Sequence, residues 1–85
     1  MRDLIETITR SIVGDEENLQ VDMIESRYQT TLTVRASERD VGKLLGKKGR
    51  TIQAIRNLAD LIGERQGTHY NIWVEGTQEL GVAAK

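Results

Sequence analysis

Leu4, Ile5, Ile8 and Ile12 recur at helical spacing, and Gly14 stands where a helix commonly stops. The pattern predicts an amphipathic helix over residues 3–13, with Arg2, Glu6, Thr7 and Arg10 on its polar side. Beyond the acidic run Asp15-Glu16-Glu17 the rhythm changes to alternation. Leu19, Val21 and Met23 are separated by Gln20 and Asp22, and Leu32 and Val34 by Thr31, Thr33 and Arg35, which predicts two half-buried strands. The short polar join between residues 25 and 28 favours an antiparallel pair. Ser37 is then placed to cap a short helix whose apolar side is Val41, Leu44 and Leu45. Gly46-Lys47-Lys48-Gly49 interrupts the helical rhythm, which resumes through Ile52, Ile55, Leu58, Ala59 and Ile62 and ends near Gly67. A last strand follows, where Tyr70, Ile72 and Val74 alternate with Asn71, Trp73 and Glu75. The tail from residue 76 onward has no clear period.

The order is helix, strand, strand, helix, helix, strand. A strand reached through a helical crossover lies parallel to its predecessor, and hairpin-connected strands lie antiparallel. The expected fold is therefore α+β, a mixed three-stranded sheet with helices on one face. At 85 residues the chain has room for one domain, read as residues 1–76 followed by a tail over 77–85. Cysteine is absent, which removes disulfides, thiolate metal sites and a cysteine nucleophile, and the simplest compartment is a reducing cytoplasm. The first apolar stretch is broken by Glu6 and Arg10 and fits neither a signal peptide nor a membrane span.

A formal net charge of −1 argues at first against a polyanionic partner, but the charge is unevenly distributed. Residues 1–40 carry −4, residues 41–67 carry +4 and residues 68–85 carry −1. Between Lys43 and Arg56 there are five cations and no acid. Charges beyond a Debye length of about 8–10 Å are largely screened, so this island attracts phosphate whatever the total.

A bare G-x-x-G carries almost no information, since a chain with this glycine content produces on the order of one by chance. Its context is informative. The two glycines of Leu45-Gly46-Lys47-Lys48-Gly49-Arg50-Thr51-Ile52 separate two amphipathic helices and enclose two lysines. Glycine at each end lets the backbone turn and approach another chain closely, and amides at the start of the following helix are donors for an anion. The strand–helix–GxxG–helix–strand unit resembles a KH domain, whose loop clamps about four nucleotides of single-stranded RNA. The helix and strand that precede it match the type II arrangement. The run Glu38-Arg39-Asp40-Val41-Gly42-Lys43-Leu44-Leu45-Gly46-Lys47-Lys48-Gly49-Arg50-Thr51 is similar to that of the small bacterial KhpA-type RNA-binding proteins, over residues 3–75.

The resemblance implies that Gly46 and Gly49 bend the loop onto the sugar-phosphate backbone, with Lys47 and Lys48 at its tip and Lys43 and Arg50 adding charge. It implies an apolar floor from Gly42 and Leu45, Ile52 facing or supporting the groove, and a second wall near residues 70–72. The function implied is RNA binding in bacterial post-transcriptional regulation or RNA chaperoning, weak and broad in sequence because few aromatics are in view for stacking. The alternative is a protein-interaction adaptor that forms a homodimer or pairs with a second KH-containing protein. Trp73 is the candidate contact, because alternation puts it on the sheet face away from the helices and tryptophan is enriched at interface hot spots.

Enzymatic readings have little to stand on. Gly42 to Gly46 encloses three residues, and Lys47 is followed by Lys48, which does not fit a phosphate-binding P-loop. His69 is the only histidine, with no nucleophile or ligand set arranged around it in sequence, and reads as an exposed residue at a strand start. Asp15, Glu16 and Glu17 lack the spacing of a calcium loop and read as a solvated turn. No metal or other cofactor is expected.

Overall fold

The computed structural model describes residues 1–75; the expected tail over 77–85 lies outside the described residues. Helix α1 (Arg2–Ile12) leads through a single 3-10 turn (Glu16–Asn18) into strands β1 (Gln20–Glu25) and β2 (Gln29–Arg35). Helix α2 (Glu38–Leu45), a second 3-10 turn (Lys47–Gly49), helix α3 (Arg50–Gln66) and strand β3 (His69–Val74) complete the order. The sheet runs β1-β2-β3, with β1 antiparallel and β3 parallel to β2. Both the fold class and the mixed sheet agree with the pattern of hydrophobic positions.

Register sorts the side chains. Val21, Val34 and Val74 form one row, and Met23, Leu32 and Ile72 another, on the face that the helices cover. Leu32, Val34 and Val74 are fully buried there, against Ile5 of α1, Leu44 of α2 and Ile52, Ile55 and Ala59 of α3. The opposite face carries Asp22, Thr33 and Trp73 in one row and Ile24, Thr31 and Asn71 in the next. Arg35 crosses this face, 2.6 Å from Glu75 and 3.4 Å from Asp22.

Several positions depart from the expected pattern. Met23 stays 38 % exposed because β1 is an outer strand of the sheet, so one flank of the side chain has no neighbouring strand among the described residues. Leu58 is 40 % exposed, since α3 buries Ile52, Ile55, Ala59 and Gly63, and Leu58 sits about 100° round the helix from Ala59. Thr9 is buried in α1 in place of Leu4, its hydroxyl satisfied by donating to Ile5 O at 2.8 Å. Gly63 is buried for a steric reason: a Cβ there would stand 2.5 Å from Thr68 O, where the chain folds back from α3 into β3.

Candidate nucleic-acid interface

The interruption between α2 and α3 is built from left-handed backbone. Gly46 has φ 76 and ψ 173, Lys48 φ 57 and ψ 26, and Gly49 φ 75 and ψ 15. The Gly46 conformation belongs to a region essentially reserved for glycine. Its side is also occupied: a Cβ would lie 2.6 Å from Thr51 Cβ and 2.8 Å from Thr51 N. The Gly46 N–H closes α2 on Gly42 O at 2.9 Å, and the Gly49 N–H donates to Gly46 O at 3.1 Å. This tight reversal leaves Lys47, Lys48 and Arg50 exposed, and among the described residues no acid pairs with them. Directly behind them stands the N-terminus of α3, whose first-turn amides lack intrahelical acceptors and carry the positive end of the helix dipole.

Beside the loop, Gly42 is exposed on α2, with Val41 and Leu45 half-buried, while Ile52 at 4 % exposure lies beneath and supports the surface. Lys43 is placed differently from the rest of its expected group. It turns to the α1 side of α2, with Nζ 3.6 Å from Asp40 Oδ1. Asp40 itself is 2 % exposed and accepts from the Gly14 N–H (2.9 Å), the Asp15 N–H (3.0 Å) and the Ser37 hydroxyl (3.0 Å). The backbone bonds from Gly14 and Asp15 pull its carboxyl down from 3.8 to about 2, with Ser37 and Lys43 acting in the same direction against the burial. Ser37 occupies the expected N-cap position of α2, but its hydroxyl serves Asp40 and no helix amide. Gly14 follows the end of α1, where a stop was expected; the C-cap is Val13 in extended conformation, and the Gly14 amide donates to Asp40.

Residues 70–72, expected to form a second wall, line a cavity against α3 that does not include Gly42, Leu45 or the loop glycines. This cavity, of about 200 Å³, runs between α3 and the outer edge of β3, with Gln53 and Arg56 on one side and Tyr70, Ile72 and Trp73 on the other. Arg56 spans it, donating from Nε (3.0 Å) and Nη2 (2.8 Å) to Ile72 O, with its guanidinium carbon 5.6 Å from the Trp73 ring centroid. Trp73 thus sits in register on the sheet face that no described helix covers and also reaches the groove, bringing aromatic surface that the helix–loop–helix alone lacks. Gln53 was not singled out by sequence reasoning, and Arg56 entered only as the last cation of the basic island. The available signal was a polar stripe, Gln53, Arg56 and Asp60, running along α3 beside its buried stripe. His69 is exposed at the start of β3, as expected. Among the described residues no three His, Cys, Asp or Glu side chains converge as a metal site would require, and no helix is long and apolar enough to cross a membrane.

The two-helix loop and the α-β-β-α-α-β order coincide with a match to the family model described as KhpA/KhpB, KH domain, over residues 2–74. The chain belongs to this KH-domain family. A relative in Borreliella burgdorferi, called RNA-binding protein KhpA, is 43% identical over 56 residues, which cover 66% of this chain and 68% of that one. The protein of the same description in Mycobacterium tuberculosis is 40% identical over 63 residues, covering 74% and 79% of the two chains. That of Clostridium acetobutylicum is 34% identical over 58 residues, covering 68% and 77%. Membership of the KhpA/KhpB family agrees with a bacterial KH domain and with a non-enzymatic module.

Proposed function

We propose that this chain binds single-stranded RNA, with the Gly46–Gly49 loop holding the sugar-phosphate backbone and the α3–β3 groove receiving bases. The observation that carries the reading is the left-handed loop at residues 46, 48 and 49, with Lys47, Lys48 and Arg50 exposed in front of the α3 N-terminus. The relatives named RNA-binding protein KhpA support it. In this reading phosphates meet Lys47, Lys48 and Arg50 together with the α3 amides. Gly42 and Leu45 offer the surface on which bases rest, Ile52 holds that surface up, and Lys43 contributes at the margin through its charge. Affinity is modest because the loop holds only a few phosphates, and the wider role is regulation or chaperoning of bacterial RNA.

The test is titration of short labelled single-stranded RNA against the wild-type chain and the variant Lys47→Asp/Lys48→Asp. Reversing both charges at the loop tip abolishes measurable binding while the thermal melt stays within a few degrees. Equal affinity in the two proteins would show that the loop is not the phosphate site. A protein partner, a second copy or another KH-containing chain, has its natural surface on the sheet face that no described helix covers, where Ile24 is 70 % exposed in the row next to Trp73.

A further inference from the structure

Among Lys43, Lys47, Lys48 and Arg50, the cations nearest the loop, only Lys43 is paired with an acid among the described residues. It stands in the last turn of α2, four residues before Lys47, close enough along the chain to serve the same phosphates. Its Nζ is instead 3.6 Å from Asp40 Oδ1, over the turn that leaves α1, where a Cβ on Gly14 would lie 3.2 Å from it.

The acid that holds it cannot follow it outward. Asp40 is 2 % exposed, and both of its oxygens are engaged by other donors. Oδ1 accepts from the Gly14 N–H, and Oδ2 from the Asp15 N–H and the Ser37 hydroxyl. These bonds favour the charged form, so the carboxylate is both ionised and immobile at neutral pH. Exposed ion pairs are weak partly because two mobile side chains must be ordered together. Here only the lysine has freedom to lose. A phosphate that approached Lys43 in its seat would also approach the Asp40 charge, and repulsion would offset part of the attraction.

We infer that Asp40 is a positioning residue that withholds Lys43 from the RNA backbone and so limits the phosphate-gripping cations beside the loop to Lys47, Lys48 and Arg50. The inference rests on the RNA-binding reading and adds to it a cause for modest affinity. It also gives the end of α1 a part in binding. The Gly14 and Asp15 amides that fix Asp40 belong to the turn after that helix, outside the helix–loop–helix unit.

The experiment measures anisotropy of a fluorescein-labelled uridine octamer between about 50 and 200 mM salt, and reads the slope of log affinity against log salt. Asp40→Asn keeps the shape of the side chain and removes its charge. It binds about three- to tenfold more tightly at the low-salt end and steepens the slope by about 0.7, as one further phosphate contact on a single strand requires. Loss of structure alone would weaken binding. Asp40→Asn/Lys43→Ala loses this gain, and Lys43→Ala alone keeps the slope within about 0.2 of wild type. Gly14→Ala alters no charge, and Gly14 has no positive φ to strain alanine. Its methyl group crowds the mobile end of Lys43 out of its seat and steepens the slope in the same direction, which keeps the test open if Asp40→Asn fails a circular-dichroism melt. A slope unchanged in every folded variant, a gain that survives in Asp40→Asn/Lys43→Ala, or a fall of about 0.7 in Lys43→Ala alone overturns the inference while leaving RNA binding intact. Absence of binding by the wild-type chain overturns the RNA reading and this inference with it.

Discussion

Two glycines four residues apart respond oppositely to the same added methyl group. Gly42 lies inside α2, its φ is not positive, and a Cβ there meets nothing within 4 Å. Gly42→Ala therefore stabilises the fold by about 0.4–1 kcal/mol, through helix propensity and a less flexible unfolded chain. At Gly46, φ 76 with ψ 173 imposes about 1–3 kcal/mol of strain on alanine. The overlap with Thr51 Cβ at 2.6 Å and Thr51 N at 2.8 Å adds about 1–3 kcal/mol, because N is backbone in the first turn of α3 and cannot rotate away. Partial relaxation of the loop limits the sum to about 2–4 kcal/mol. In a domain of this size about 1 kcal/mol moves Tm by roughly 4–8 °C, so Gly46→Ala lowers Tm by about 10–25 °C and Gly42→Ala raises it by about 2–8 °C. Scanning calorimetry of the three proteins reads both. A Gly46→Ala protein melting within about 2 °C of wild type would refute the loop geometry. In the RNA titration Gly42→Ala weakens binding despite the gain in stability if, as proposed, Gly42 belongs to the surface on which bases rest.

Asp40 carries a pH signature. Its carboxyl is depressed from 3.8 to about 2, so its contribution is complete above the unfolded value and is lost as pH falls through the folded one. The gap in urea midpoint between wild type and Asp40→Asn is full at pH 5 and closes toward pH 2; a gap constant across that window contradicts the assignment. RNA affinity falls with salt, and removing one loop lysine lowers the log–log slope by about 0.7 if that lysine holds one phosphate of a single strand. Lys43→Ala changes the slope less than Lys47→Ala, since Lys43 faces Asp40. If the sheet face opposite the helices joins two copies, Ile24→Asp lowers the mass seen by light scattering to that of the monomer, and an oligomer of unchanged mass excludes this face.

Much of the fold was legible because its elements announce themselves by period. Alternation at Leu32 and Val34, and again at Ile72 and Val74, survives in the structure because those residues face one continuous layer of helices. The helix–GxxG–helix unit was legible for another reason: glycines bounding a reversal are demanded by local backbone geometry, as at Gly46. Positions at the flanks were not legible. Leu58 and Thr9 have hydropathies that misstate their burial, because periodicity gives a face only to within a residue and the neighbouring element decides where that face ends.

The candidate site divides in the same way. Composition and spacing alone determined the basic island from Lys43 to Arg56, the loop at residues 46–49 and the order of elements, all properties of neighbours along the chain. Tertiary structure decided that Lys43 turns to Asp40 while Lys47 and Lys48 stay exposed, and that Arg56 crosses from α3 to the edge of β3. The contacts concerned join residues 26 positions apart at Gly14–Asp40 and 16 apart at Arg56–Ile72. No local period encodes such pairings, because they arise only when packing of the core brings one helix beside another element and sets a side chain against groups distant in sequence.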